Sequence, residues 1–121
     1  VVCAGGGGIP VARDGGVLRG VEAVVDKDLT SALLACELDA DELLILTDVD
    51  AVVAGWGSEG ARPLRTVTPA ELRAGQWASW SMGPKVAAAC RFVESTGRVA
   101  RLGSLEHAGE VLAGITGTRI E

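Results

Sequence analysis

The 121-residue sequence contains few of the side chains on which disulfide-rich and zinc-binding proteins depend. It has three cysteines, Cys3, Cys36 and Cys90, with no Cys-x-x-Cys pair, and a single histidine, His107. This odd number of scattered cysteines argues against a disulfide framework, and one histidine argues against a structural zinc site. We therefore expect buried, reduced thiols in a cytoplasmic protein.

Long apolar runs are also missing, although the composition is apolar overall. Hydrophobic residues make up 48% of the chain and the mean hydropathy is +0.32, which argues against disorder. No run approaches the roughly 20 apolar residues of a membrane-spanning helix, and the early glycines do not fit a signal peptide. The formal net charge of −5 disfavours nucleic acid as the main partner. We expect one domain that binds neither nucleic acid nor a membrane.

Lysine is scarce, because the basic residues are nine arginines and only two lysines, Lys27 and Lys85. Both lysines fall in the predicted first turn of a helix, where a cation is unfavourable. A helix N-terminus attracts anions, and an added lysine makes a stronger phosphate site. Before Lys85, we also expect free backbone amides at Gly83 and Pro84. The alternative is that both lysines are solvated surface side chains.

The most distinctive stretch is an aliphatic run that passes directly into polar residues. Four consecutive large aliphatic residues, 43–46, are typical of a strand buried on both faces in a parallel sheet. Thr47, Asp48, Val49 and Asp50 follow without a turn residue. Because ligands of open α/β sheets bind just beyond the carboxyl ends of the strands, these residues form a predicted site. The alternative is that Asp48 and Asp50 only end the strand at the surface.

A glycine-rich loop lies near the start of the sequence. Gly5, Gly6, Gly7 and Gly8 follow a short predicted strand at residues 1–4. Four glycines allow backbone amides to approach an anion closely. The loop is not a dinucleotide fingerprint, because the residues after it predict an extended segment instead of a helix. The alternative is a loop that is merely flexible.

The rest of the chain alternates predicted strands with predicted helices. The local signals are a hairpin turn at residues 14–16, helix caps at Asp26, Thr68 and Ser104, a helix that begins at residues 83–85 and ends at Gly97, and an edge strand at residues 117–120. The predicted apolar helix faces are Leu29, Ala32, Leu33 and Cys36; Val86, Ala89, Cys90 and Val93; and Leu105, Ala108 and Leu112. This alternation predicts an α/β fold, a three-layer α/β/α sandwich with a mostly parallel sheet and with residues 43–46 in the central strand.

A glycine-rich loop, two lysines and nearby carboxylates together favour phosphoryl transfer. Such catalysis depends mainly on positioning and on stabilisation of charge. In this scheme Asp28 holds the two lysines in place while magnesium bridges the phosphates. A P-loop enzyme is excluded, because no glycine is followed by Lys-Ser or Lys-Thr.

Five segments, in collinear order, resemble carbamate kinase in the amino-acid kinase superfamily. They are residues 3–10, 21–28, 46–52, the Ser-Met-Gly-Pro-Lys run at 81–85, and 117–120. The resemblance implies an amino-acid kinase-like fold in which residues 1–121 are the C-terminal nucleotide-binding part and the N-terminal part is absent. In such enzymes ATP phosphorylates carbamate, or carbamoyl phosphate returns its phosphoryl group to ADP, with Mg²⁺. The full-length enzyme is expected to be a cytoplasmic homodimer that works in arginine metabolism.

The resemblance also implies roles for individual residues. Lys27 and Lys85 would contact the phosphates, and Asp28 would organise the lysines. The implied nucleotide pocket consists of Thr47, Asp48, Val49, Asp50, Val53, Met82 and Gly83, and the implied loop near the transferred group consists of Gly5, Gly6, Gly7 and Gly8. Val53 replaces a tyrosine that is common in the family, and Trp80 replaces a glycine.

Three functions stay open at this point. The chain is part of an ATP:carbamate phosphotransferase, part of a relative that acts on a different carboxylate, or a truncated product that binds nucleotide or another subunit without catalysis. The sequence begins without Met and directly in a predicted strand, so we expect a fragment that is inactive by itself.

Overall fold

The computed structural model describes residues 4–121, so Cys3 and nearly all of the strand predicted at residues 1–4 lie outside the described part. The helices α1 to α4 span Lys27–Glu37, Pro69–Ala74, Met82–Thr96 and Ala108–Leu112, and a 3-10 helix at Leu105–His107 precedes α4. The strands β1 to β8 span Val11–Asp14, Val17–Gly20, Glu42–Thr47, Val53–Ala54, Arg62–Pro63, Thr66–Val67, Val99–Ser104 and Thr118–Ile120. None of the helices in this range is long and apolar enough to span a membrane.

The main sheet has four strands in the order β3-β7-β8-β6. Strand β3 pairs parallel with β7, so that Leu43 lies opposite Ala100 and Thr47 opposite Ser104. Strand β8 pairs antiparallel with β7 and parallel with β6. There are also two smaller antiparallel pairs. In the sequence, β1-β2 precedes the strands of the main sheet and β4-β5 lies between β3 and β6. The prediction of a mostly parallel sheet is confirmed.

Within residues 4–121, the positions of two strands in this sheet differ from the prediction. Residues 43–46 belong to β3, which lies at an edge because β7 is its only partner within residues 4–121. Conversely, the strand predicted at the edge, β8, lies between β7 and β6, and its Thr118 and Ile120 side chains are buried. Strand order depends on pairing between distant segments, which local apolar patterns do not encode.

Helices cover both faces of the sheet. On one face, Ala100 and Leu102 of β7 are buried in the same apolar cluster as Phe92 of α3. Side chains alternate along a strand, so Gly103 faces the other side. There, a Cβ atom added to Gly103 would lie 2.6 Å from the side chain of Val111 in α4. The two helical layers confirm the predicted three-layer α/β/α arrangement.

The local signals at helix ends and turns are confirmed. The Asp26 carboxylate accepts hydrogen bonds from the Asp28 and Leu29 amides, each at 2.9 Å, and so caps α1. Gly97 ends α3 with a left-handed φ of 68°, which glycine adopts without steric cost. In the β1-β2 hairpin, the two turn residues 15 and 16 are glycines that both have positive φ angles.

The predicted apolar faces of the helices are partly wrong. The α3 face is confirmed, because Val86, Ala89, Cys90 and Val93 are all buried. In α1, however, Leu33 is 47% exposed and Ala35 is buried in its place. In α4 the buried residue is Val111, whereas Leu112 and the preceding Leu105 are exposed. Helix α1 packs mainly against α3, and α4 packs on β7, so the buried face follows the partner surface instead of the most apolar stripe.

The described cysteines are free thiols in different environments. Cys90 is fully buried, and this burial raises the pKa of its thiol. Cys36 is only half-buried, so the expectation of buried thiols holds for Cys90 and is wrong for Cys36.

Helix α2 begins with a complete capping box. The Thr68 hydroxyl accepts a hydrogen bond from the Glu71 amide at 3.2 Å, and the Glu71 carboxylate accepts one from the Thr68 amide at 2.7 Å. The backbone hydrogen bond from Thr68, assisted by the Thr68 hydroxyl, lowers the pKa of Glu71 below its ordinary value of 4.5. A lowered carboxyl pKa stabilises the fold above the ordinary pKa, and this stabilisation is lost as the pH falls through the lowered value.

Two substitutions test this box in the full-length protein. Thr68→Ala is expected to lower the free energy of unfolding by about 1 kcal/mol at neutral pH. Above pH 4.5, Glu71→Ala is expected to have a lower melting temperature than the wild type. At a pH low enough to protonate Glu71 in the folded wild type, the two melting temperatures are expected to be equal. The control is Glu59→Ala, because Glu59 is an exposed loop residue. A Glu71→Ala loss that did not change with pH would contradict this account.

Candidate functional site

The topology brings the starts of α1 and α3 to one edge of the sheet. Helix α1 leads into β3 and α3 leads into β7, and these two strands are parallel neighbours. A helix that precedes a strand in such a unit runs antiparallel to it, so both helices begin at the carboxyl ends of the strands. Thr47, the last residue of β3, lies at the same edge. This is the edge at which open α/β sheets bind ligands.

Two lysines meet one aspartate where α1 and α3 begin. The Lys85 Nζ atom donates a hydrogen bond to Asp28 Oδ2 at 3.0 Å, and Lys27 Nζ lies 3.6 Å from the same oxygen. The Asp28 side chain is 10% exposed and that of Lys85 13%, whereas that of Lys27 is 51% exposed. We call these three residues the lysine cluster. Its two ammonium groups and one carboxylate leave a formal excess of one positive charge.

The excess charge has a direct consequence for binding. Removing a charge from water is costly unless it is paired, and Asp28 provides the pairing that allows Lys85 to be nearly buried. The same contact fixes the direction of the Lys85 ammonium group. A further negative charge near the cluster would complete its neutralisation, so the site favours an anion.

Backbone amides contribute less at this site than the sequence predicts. The Gly83 amide donates to the Ala78 carbonyl at 2.8 Å, and Pro84 has no N–H group. The expectation of free amides at these two positions is therefore wrong. At the start of α1, the Asp28 amide is likewise occupied by the Asp26 cap. At these positions the attraction for an anion comes from the ammonium groups.

The glycine-rich loop is fastened to the first turn of α1. The Thr30 hydroxyl donates to the Gly7 carbonyl at 3.3 Å and to the Asp26 carbonyl at 2.8 Å. A Cβ atom added to Gly7 would lie 1.8 Å from the Val25 carbonyl oxygen, so no other residue fits there without a shift of the backbone. Gly8 has a φ of 94°. The loop thus lies beside the turn that carries Lys27 and Asp28.

A cleft of about 660 Å³ lies beyond the end of β3. We call it the first cleft, and its lining residues are Asp48, Val49, Asp50, Ala51, Val53, Trp56, Pro63, Arg65, His107, Glu110, Thr116 and Gly117.

The first cleft contains only part of the predicted nucleotide pocket. Asp48, Val49, Asp50 and Val53 line it. Thr47 lies next to it and donates a hydrogen bond to Asp48 Oδ1 at 3.0 Å. Met82 and Gly83 do not line it and lie instead in the first turn of α3, as Lys85 does. The structure therefore divides the predicted pocket between the cleft and the lysine cluster.

Several residues of the first cleft were missed in the sequence. Trp56, in the loop between β4 and β5, is 75% exposed, which is unusual for so large an apolar side chain. His107 Nδ1 lies 3.7 Å from the Glu110 carboxylate. Arg65 and Thr116 come from segments with no motif of their own. Among these residues only Trp56 carries a signal in the sequence, because a tryptophan between two glycines in a predicted loop is unusual.

No metal cage is formed by the residues that the structure describes. Within residues 4–121, no three histidine, cysteine, aspartate or glutamate side chains lie close enough together to hold an ion.

Comparison with known proteins shows which proteins this chain resembles. The carbamate kinase of Escherichia coli O6:H1 is 51% identical over 120 residues, which is 99% of this chain and 39% of that protein. The carbamate kinase of Rhizobium meliloti is 51% identical over 108 residues, 87% of this chain and 33% of that protein. The structure of carbamate kinase from Giardia lamblia bound to AMP-PNP superposes with a TM-score of 0.90 at 43% identity, over 94% of this chain and 37% of that chain.

The chain thus spans between 33% and 39% of the length of these two relatives. The profile of the Amino acid kinase family matches residues 1–104. This match and the shared fold show that the chain belongs to the amino acid kinase family.

Proposed function

We propose that this chain supplies the nucleotide-binding part of an enzyme that transfers a phosphoryl group between ATP and carbamate. The observation that carries the proposal is the lysine cluster, in which Lys27 and Lys85 share one oxygen of Asp28. The similarity to carbamate kinases supports carbamate, or carbamoyl phosphate in the reverse direction, as the second substrate. The remaining part of the enzyme would supply most of the carbamate pocket.

In the reverse direction, a terminal oxygen of ADP attacks the phosphorus of carbamoyl phosphate. A new P–O bond forms, the bond between phosphorus and the carbamoyl oxygen breaks, and carbamate leaves with the electron pair. Lys85 and Lys27 neutralise the negative charge that spreads over the phosphoryl oxygens. Asp28 does not react, and its role is to hold both ammonium groups in position. Because Asp28 already holds Lys85 in position, its ammonium group does not have to reorient during the reaction. Such positioning in advance is the main source of electrostatic catalysis.

The nucleotide is proposed to lie across the same edge of the sheet. Thr47, Asp48, Val49, Asp50 and Val53 shape the pocket at the end of β3. Met82 and Gly83 extend it to the first turn of α3, beside Lys85. The loop of Gly5, Gly6, Gly7 and Gly8 lies near the transferred group, which its contact with the first turn of α1 supports.

Magnesium is proposed to arrive with ATP or ADP, where it would neutralise part of the phosphate charge. Mg²⁺ commonly keeps several water ligands and binds through substrate phosphates with few protein carboxylates. The resemblance to carbamate kinases extends the proposal to a cytoplasmic homodimer that works in arginine metabolism.

The proposal is tested by the acceptor specificity of the full-length protein. We expect ATP to form from ADP and carbamoyl phosphate, and the terminal phosphoryl group of ATP to pass to carbamate in the forward direction. Acetylglutamate and aspartate, offered with ATP at equal concentration, are expected to react far more slowly, because each needs a differently shaped pocket. A coupled assay of ATP and ADP measures all of these reactions. If acetylglutamate or aspartate reacted faster than carbamate, the chain would belong to an enzyme that phosphorylates a different carboxylate.

A further inference from the structure

A second cleft, of about 330 Å³, collects an unusual share of the positive charge of this chain. Its lining residues are Arg65, Thr66, Arg101, Ala113, Gly114, Ile115, Thr116, Gly117 and Arg119. The lining contains three of the nine arginines and no aspartate or glutamate, in a chain whose formal net charge is −5. The presence of three arginines in one small cleft requires a physical explanation.

The fold itself forces two of the arginines together. Arg101 of β7 and Arg119 of β8 lie directly opposite each other across the antiparallel pair. Arg119 also lies opposite Thr66 across the next strand pair, so the three side chains form one row on one face of the sheet. Like charges directly opposite each other in a sheet are destabilising. An arrangement of this kind is relieved when negative charge binds between the side chains.

Arg101 and Arg119 are each paired with one carboxylate outside the lining, so of the three arginines only Arg65 has no carboxylate partner within residues 4–121. Arg101 Nε donates to Glu42, and Arg119 Nε and Nη2 donate to Glu121 at 2.8 and 2.5 Å. Within residues 4–121, neither Nη atom of Arg101 donates to an acceptor, although the guanidinium lies against Gly114. Arg65 makes one long contact, of 3.4 Å, with the Ile115 carbonyl. Several guanidinium N–H groups therefore stay available to a ligand.

An independent observation at the same place also indicates a missing partner. The hydroxyl oxygen of Thr116 is buried and has no hydrogen-bond partner within residues 4–121. Buried polar groups are nearly always hydrogen-bonded, so a further group is expected to reach this hydroxyl in the functional protein. Thr116 lines the second cleft and also the first.

We propose that the second cleft is a binding site for a multivalent phosphate-type oxyanion, such as inorganic phosphate, pyrophosphate or the phosphate group of a larger molecule. The planar guanidinium groups of Arg65, Arg101 and Arg119 suit two-point contacts with phosphate oxygens. The Thr116 hydroxyl oxygen is shielded from solvent, so a rotation of this side chain would be needed to bring the hydroxyl to a further oxygen. The site shares no residue with the lysine cluster. It shares Arg65, Thr116 and Gly117 with the first cleft, so the two occupants would touch a common wall.

Pyrophosphate binding to the full-length protein tests this site. Titration calorimetry at constant ionic strength is done in a Lys85→Ala background, so that the lysine cluster does not dominate the signal. We expect saturable binding that weakens at least about tenfold in Arg65→Gln and in Arg119→Gln, since each removes charge-assisted hydrogen bonds. Arg62→Gln is the matched control, because Arg62 is an exposed arginine three residues before Arg65 that does not line the cleft. Its affinity is expected to match that of the background.

The same titrations can overturn the proposal. The proposal fails if pyrophosphate shows no saturable binding to the Lys85→Ala background. It also fails if Arg65→Gln binds pyrophosphate as tightly as the background does, or if Arg62→Gln loses as much affinity as Arg65→Gln. Citrate, which offers carboxylates in place of phosphate oxygens, is expected to bind more weakly, and tighter citrate binding would contradict the phosphate class. If Arg119→Gln melts early, Arg101→Gln replaces it, because Arg101 lines only the second cleft whereas Arg65 lines both clefts. The outcome does not depend on the proposed reaction, because the readout is binding.

Discussion

Replacing Lys85 or Lys27 by alanine in the full-length protein is expected to lower kcat by roughly 100-fold or more, the loss seen when one preorganised stabilising donor is removed. Both ammonium groups lie within 3.6 Å of the Asp28 carboxylate, which fixes where they point. Their benefit is larger in the transition state, because charge then spreads over the transferring phosphoryl oxygens. Steady-state kinetics with carbamoyl phosphate and ADP would measure the loss.

Two further variants give this experiment its controls. Lys85→Arg is expected to restore little activity, because a planar guanidinium cannot replace a compact ammonium group that is nearly buried against Asp28. Arg91→Ala is expected to be nearly silent, since Arg91 is an exposed residue of the same helix. Wild-type turnover in either lysine-to-alanine variant would remove that lysine from the mechanism.

Gly7→Ala is expected to lower kcat/KM by roughly 100-fold, a loss that a displacement of about 1 Å at a reacting group can cause. The added Cβ would lie 1.8 Å from the Val25 carbonyl oxygen, a distance at which the two atoms overlap. Either the loop or the segment that leads to Lys27 must therefore move. Steady-state kinetics measure the activity, and a melting curve shows whether the variant stays folded.

Gly20→Ala is the matched control for this substitution. Gly20 lies in β2, and a Cβ atom added there has no heavy atom within 4 Å. It is expected to keep wild-type kinetics. Full activity in Gly7→Ala would show that the loop does not need its close approach to Val25 for the reaction.

The features that the sequence predicts well are those that few neighbouring residues determine. Asp26 caps α1 because its side chain reaches amides two and three residues away. Thr68 and Glu71 form their capping box within one turn. Gly97 ends α3 because its own backbone adopts a left-handed conformation. In each case the physical cause lies inside a window of four residues.

The features that the sequence predicts badly depend on contacts between distant segments. Strand β3 was placed at the centre of the sheet because its residues are so apolar, but partners further along the chain decide its neighbours. The same cause turns Leu33 outward, because the surface of α3 selects which side of α1 is buried. The Gly83 amide was predicted to be free, but it donates a hydrogen bond to the Ala78 carbonyl.

The candidate site shows both situations. The positions of Lys27 and Lys85 at helix starts follow from local patterns. Their meeting on Asp28 joins residues 57 positions apart. It was expected from the chemistry of phosphoryl transfer and from the resemblance to a family, and no local pattern predicts it. The arginine row of the second cleft was not predicted at all, because the pairing of Arg101 with Arg119 exists only in the folded sheet.

The central claim is that the lysine cluster acts on the transferring phosphoryl group more than on the bound nucleotide. The most direct test measures two quantities in Lys85→Ala, the single-turnover rate of phosphoryl transfer and the Kd for ADP. The account predicts that the rate falls by roughly 100-fold or more while the Kd rises less than about tenfold, because stabilisation confined to the transition state changes the rate and not the binding. An unchanged single-turnover rate, or a rate loss matched by an equal loss of ADP affinity, would contradict it.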